Sequence, residues 1–350
     1  MRFILALGMY VCCAGYAFAQ ADQLTARHGR IGKLYEEKQY AALVAEIDAQ
    51  VAASAGTPWA DSLHRYLYKY GRAHRKLKDA AAGTAAAERI YALVKARGKA
   101  AHELEALFDL SWTYYDVGEL KQCARVDSIA VTVADRDPAI PLGQRGRARQ
   151  YLACDYSVLG DHRNSAKWAL AAIAQYEQAD SIPPAQWAES YTAVGVANWH
   201  LGRIRDAERY YLKALEKLGD GEDEAILMRK VSAYGNLGVL WQNAGDFTRA
   251  KLNYQESLRH SDRIIAATQD QFTRDEAIVN RSRTYLNLAT VYFQSGDDGR
   301  ARELLDRAWR DRSGVLEADD PQLIAVKERF ADLELNAGHL AKAHALLRDY

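Results

Sequence analysis

The chain has 350 residues, 46 basic and 46 acidic side chains, and a formal net charge of zero. A neutral chain has no global field for drawing in nucleic acid, so a polyanion binder held by net charge is excluded. It is rich in alanine and tyrosine with only six prolines, which suits helices better than sheets or disorder.

The first element is a secretory signal. In "MRFILALGMYVCCAGYAFAQ", Arg2 precedes an apolar run, and Ala17-Phe18-Ala19 offers small residues where a signal peptidase reads. Cleavage is expected after Ala19, giving residues 1–19 as signal peptide. A retained anchor is the alternative, since the run barely reaches the ~20 residues of a bilayer span. Cys12 follows Val11 rather than a small residue, which argues against a lipoprotein. No second run of spanning length follows, so the mature region is expected without a membrane span, exported to the bacterial periplasm. It keeps two cysteines, Cys123 and Cys154. An oxidising compartment would let them pair, but both fall at helix-packing positions, which favours buried thiols.

Beyond the signal the chain repeats. Gly238 is followed seven residues on by Gly245 and twelve on by Ala250, and Gly195 likewise by Gly202 and Ala207. The same spacing links Ala289, Gly296 and Ala301; Ala331, Gly338 and Ala343; Ala153, Gly160 and Ser165; and Ser111, Gly118 and Cys123. Weaker copies start at Gly71 and Ile31, with Lys78 and Lys38 at the turn. Reference positions 31, 71, 111, 153, 195, 238, 289 and 331 therefore step by 40, 40, 42, 42, 43, 51 and 42. A period of this length marks a repeat array. Each unit is expected to be helix A, a tight turn and an antiparallel helix B. Small residues such as Gly238 and Ala250 would face each other where the helices cross, with Tyr234, Trp241 and Tyr254 filling the flanks. Larger side chains there would overpack the crossing by ~1–3 kcal/mol.

"YGNLGVLWQNAGDFTRAKLNYQESL", "YTAVGVANWHLGRIRDAERYYLKAL" and "YLNLATVYFQSGDDGRARELLDRAW" resemble the tetratricopeptide repeat. The resemblance covers about residues 31–350 and is strongest from Ala153 onward. Units run about eight residues over the standard 34, roughly one extra turn per helix pair member. This is similar to kinesin-light-chain-type arrays and to bacterial periplasmic sensor regions. It implies an all-α fold, a right-handed α-solenoid of about eight antiparallel helix-turn-helix repeats with the A helices lining a concave face. Residues 20–98 form divergent N-terminal repeats and 99–350 the array proper, continuous with them.

The A helices are predicted near 22–37, 59–77, 99–117, 140–159, 184–201, 223–244, 275–295 and 320–337. The prolines fall between units or at helix starts, where a missing N–H is tolerated. The 51-residue step holds an insertion around Arg259–Ala277, a longer helix pair or a loop. The chain stops at Tyr350 inside the last expected B helix without a capping helix, which points to truncation, partner docking or further sequence.

No motif for catalysis or metal binding is present: no H-E-x-x-H, paired C-x-x-C, phosphate-binding loop or G-x-S-x-G. The expectation is a non-enzyme without cofactor or metal. The register gives the inner face instead: Asn236, Val239, Gln242 and Asn243 in one unit, and Asn287, Thr290, Phe293 and Gln294 in the next. Upstream come Arg147, Gln150, Tyr151 and Cys154, then Asp109, Trp112 and Tyr115. In tetratricopeptide arrays an asparagine at the Asn236 and Asn287 position hydrogen-bonds an extended peptide backbone, since an amide both donates and accepts. The alternative is that these amides bridge adjacent helices. "HRYLYKYGRAHRKLK" adds a cationic stripe, Arg65, Lys69, Arg72 and Arg75 or Lys76, with Tyr66, Tyr68 and Tyr70 interleaved. It would grip a carboxylate or acidic segment, or be a solvated helix face. The expected partner is a protein or peptide, not nucleic acid. The alternative function is the sensory region of a sensor kinase or helix-turn-helix regulator.

Overall fold

The computed structural model describes residues 25–54, 57–316, 320–336 and 338–348. The signal sequence and its cleavage position lie outside them. The chain divides into two compact units, one ending at Ala148 and the other beginning at Arg149.

The first unit holds α1 (25–36), α2 (Tyr40–Ser54), a 3-10 helix (Pro58–Tyr66), α3 (Leu67–Lys76), α4 (Ala80–Ala96), α5 (Ala100–Asp116), α6 (Leu120–Arg136) and the start of α7 (Leu142–Val158). The second holds the rest of α7, then α8 (His162–Tyr176), α9 (Pro184–His200), α10 (Ile204–Leu218), α11 (Glu224–Asn243) and α12 (Phe247–Ala267). It ends with α13 (Gln271–Gln294), α14 (Asp298–Ser313), α15 (Pro321–Asn336) and α16 (Leu340–Leu347). No strand occurs among the described residues. The fold is an all-α array of paired helices, the odd-numbered ones being the A helices.

Each pair is joined by the same turn, and its chemistry is local. All eight predicted turn positions have a positive φ: Lys38, Lys78, Gly118, Gly160, Gly202, Gly245, Gly296 and Gly338. At the α11–α12 turn, the Gly245 N–H donates to the Gln242 carbonyl at 3.0 Å and the Asp246 N–H to the Trp241 carbonyl at 2.9 Å. This closes the A helix in a Schellman motif, where glycine carries no steric penalty. The next residue starts helix B. The carboxylates of Asp79, Asp161, Asp246 and Asp297 accept from the backbone N–H three residues on. Each satisfies a donor that the helix start leaves open.

The crossing differs from expectation in which atoms meet. A β-carbon on Gly238 would fall on the ring of Tyr254, and one on Gly195 on the ring of Tyr211. The nearest neighbour of Gly238 is thus not Ala250 but the residue one turn further along helix B. The expected approach at the twelfth position is seen elsewhere. A β-carbon on Gly83 would lie 3.1 Å from the Gly71 carbonyl, and the Cys123 thiol sits 3.4 Å from the Ser111 carbonyl oxygen, to which it donates. Cys123 is buried, Cys154 half-buried, and both are free thiols.

One boundary also differs, and one open alternative is resolved. The helix predicted over 59–77 opens as a 3-10 helix, because Ala60, Leu63 and Tyr66 are buried at every third residue. That spacing puts side chains on one face only when there are three residues per turn. The insertion around Arg259–Ala277 is a longer helix pair, α12 and α13, of 21 and 24 residues.

Candidate partner-binding faces

The A helices touch their successors: α3 meets α5 in the first unit, and α9, α11, α13 and α15 meet in turn in the second. Each unit therefore has a face made of A helices only, and the predicted site residues fall on or beneath these faces.

In the first unit the face is aromatic and cationic. Trp112 and Tyr115 are 45% and 49% exposed, although large aromatic residues bury well. Their rings meet edge to face at 5.6 Å. Arg72 donates to the Tyr68 hydroxyl at 2.9 Å, Lys69 lies 5.5 Å above the Tyr35 ring, and Arg75 pairs with Asp116 at 3.4 Å. The α1 and α5 helices thus supply two of these three partners to the stripe. Arg65 is exposed and belongs to the 3-10 segment, so the α-helical part of the stripe begins at Lys69. The interleaved tyrosines separate. Tyr66 and Tyr70, four apart, are buried and bond His28 and Asp48; Tyr68 alone stays with the cations. Arg147 stacks over Phe108 at 5.3 Å. Beside it, burial pushes the Asp109 carboxyl up to about 7; the Tyr68 backbone N–H opposes this, Glu105 adds to it, and Arg147 opposes it.

In the second unit the face is a row of amides. Asn236 and Asn287 are half-buried, and neither carboxamide has a hydrogen-bond partner among the described residues. Gln242 accepts from the Tyr254 hydroxyl at 2.8 Å and donates to Gln294 at 3.4 Å, tying α11 to α13. Two predicted residues behave otherwise. Asn243 is exposed, but its amide donates to the Val239 carbonyl of its own helix at 2.9 Å. Gln150 is only 1% exposed, and its side-chain oxygen accepts from the buried Tyr176 hydroxyl at 3.3 Å. Although it shares a helical stripe with Arg147 and Cys154, its side chain is buried against Tyr176 rather than presented to a partner.

Sequence reasoning missed a cleft of about 230 Å³ between α13, α14 and α15. Ala289, Ala301, Leu305 and Leu333 form its floor, and Thr290, Gln294, Arg329 and Asp332 its rim. The signal was in the register: the residue sixteen after the reference is tyrosine at positions 211 and 254 but leucine at 305. Among the described residues no cluster of side chains could hold a metal ion, and no helix is long and apolar enough to cross a membrane.

Residues 188–216 and 282–322 each match a family described as tetratricopeptide repeat. No curated protein matches the sequence. Among solved structures, the chain is similar to a Rap protein complexed with Competence and Sporulation Factor, at 16% identity and TM-score 0.57, covering 93% of this chain and 83% of that one. It is also similar to the apo form of the quorum sensor NprR from B. thuringiensis (12% identity, TM-score 0.52, 93% and 97% covered). A third is BtubC from P. vanneervenii (22%, TM-score 0.50, 77% and 91% covered). At these identities the likeness is one of fold.

Proposed function

Since the chain is a tetratricopeptide-repeat protein, we propose that it is a non-catalytic scaffold binding an extended protein or peptide segment on its A-helix faces, after export to the bacterial periplasm. The observation that carries the reading is the row of open carboxamides, Asn236 and Asn287, on the second unit's A-helix face; the first unit's face has, by itself, exposed Trp112 and Tyr115. Exposed aromatic residues are over-represented at protein contacts, and an open amide complements a peptide group in both directions. Lys69, Arg72, Arg65 and Arg147 would add charge recognition, steering an acidic segment. Asn243 would contribute after releasing its own helix. The Rap structure, solved with Competence and Sporulation Factor, supports the capacity of such a fold to hold a partner.

The test uses the mature chain as bait in periplasmic extract, beside Asn236→Ala/Asn287→Ala and Trp112→Ala variants. A partner held by the wild type and lost by variants of unchanged helical circular dichroism supports the reading. Equal retention by all three retires it. Charge reversal at Lys69 and Arg72 should weaken association most at low salt.

A second reading, the sensory region of a signalling protein, is favoured by the likeness to the quorum sensor NprR. A reporter whose output depends on the same Asn236 and Asn287 amides would distinguish it from a free-standing scaffold.

A further inference from the structure

We infer that the cleft between α13, α14 and α15 is an anchor pocket for one branched aliphatic side chain of the bound peptide. The inference rests on the peptide-binding reading and narrows it to a substrate class.

The cleft follows from a change of residue at one register position. In the α11–α12 repeat, Tyr254 starts on helix B, lies on Gly238, and ends with its hydroxyl bonded to Gln242 on the A-helix face. Its side chain fills the whole depth between the crossing and that face. Tyr211 lies on Gly195 in the same manner in the preceding repeat. In the α13–α14 repeat the corresponding pair is Ala289 and Leu305, both buried. Leucine is shorter than tyrosine and stops below the face. Ala301, also buried and lining the cleft, adds no bulk. The space that tyrosine fills in two repeats is left open in this one.

Its walls set the occupant. The floor is aliphatic, with Phe293 on one side, so a charged or amide group placed there would lose its hydration without a partner. A volume of about 230 Å³ lies below the ~300–1,000 Å³ of sites that enclose a whole small-molecule ligand. It is therefore scaled to a side chain rather than to a metabolite. The rim is polar, through Thr290, Gln294, Arg329 and Asp332. One helical turn before Thr290 stands the open carboxamide of Asn287. A peptide residue with its backbone on Asn287 and its side chain over Thr290 meets a polar group outside and an apolar one inside. Leucine or isoleucine satisfies both.

The test is selection from a random dodecapeptide display library on the full chain, followed by affinity measurement on synthetic copies of the winners. Enriched peptides should share one aliphatic position, and replacing it by alanine should weaken binding about ten- to a hundredfold. Filling the cleft with Leu305→Tyr, combined with Ala289→Gly to supply the glycine on which Tyr254 and Tyr211 lie, should remove the same factor. Thr290→Leu, a milder change at the half-buried rim, serves if the first variant does not fold, as read by circular dichroism. Enriched peptides without a shared aliphatic residue, or with affinities indifferent to cleft filling, overturn the pocket and leave the broader reading standing. A library with no enrichment overturns both.

Discussion

The ring of Tyr254 occupies the space beside Gly238 so closely that a β-carbon there would fall 2.5 Å from its Cδ1 atom. Gly195 and Tyr211 repeat the relationship. Glycine costs a helix interior roughly 1 kcal/mol relative to alanine, and the cost is offset by seating a fully buried tyrosine.

Gly238→Ala should therefore destabilise the chain, since overpacking of ~1–3 kcal/mol outweighs the gain in helix propensity. Urea unfolding checks this by a lowered midpoint, and Tyr254→Leu in the same background should recover most of the loss. Gly235→Ala is the control on the same helix. Its β-carbon would meet only the Ser257 hydroxyl, at 3.8 Å, so it should leave stability unchanged or raise it by up to ~1 kcal/mol.

Lys78 occupies a turn where six of the other repeats use glycine, with φ of 61°. A side chain in the left-handed region costs ~1–2 kcal/mol, partly offset because lysine has less backbone freedom to lose on folding. Lys78→Gly should raise stability by about 0.5–1 kcal/mol. A lowered melting temperature would contradict the turn assignment.

His260 is 2% exposed and stacks on Tyr234. Burial holds its pKa down to about 4, with Arg259, Lys230 and Arg263 adding to the effect and Glu256 opposing it. The unfolded chain takes up a proton here below about pH 6.5, whereas the folded chain refuses it until about pH 4. Stability should fall as pH drops through that window, by on the order of 2 kcal/mol. His260→Gln should flatten the profile between these limits; an unchanged slope would assign the effect to other groups.

Asp109 has the opposite sign. Its folded pKa of about 7 stands above the unfolded value of ~3.9. The folded chain therefore holds a proton that the unfolded chain has released. The contribution is complete below about pH 4 and is lost as pH rises through about 7. Asp109→Asn should be more stable than wild type at pH 8, by on the order of 1–3 kcal/mol, and nearly equal to it at pH 4. Thermal melts at the two pH values separate these outcomes.

The candidate faces were legible wherever register alone decides direction. Trp112 and Tyr115 are exposed, and Asn236 and Asn287 carry open amides, at positions counted from the crossing residue. What register did not give is how Gln150 and Asn243 are engaged: Gln150 is buried with Tyr176, and the Asn243 amide reaches the carbonyl four residues back. Neither choice of hydrogen-bond partner is encoded by spacing.

The sequence by itself determined the repeat and its eight turn positions. These depend on backbone conformation and on neighbours within a few residues, which residue identity controls directly. Tertiary structure alone decided that Tyr254 covers Gly238, that the tyrosines around the cationic stripe part company, and that Leu305 leaves a cleft open on the A-helix face. Those outcomes turn on side-chain volume and rotamer measured across two or three helices at once. A close-packed interior fixes such quantities collectively.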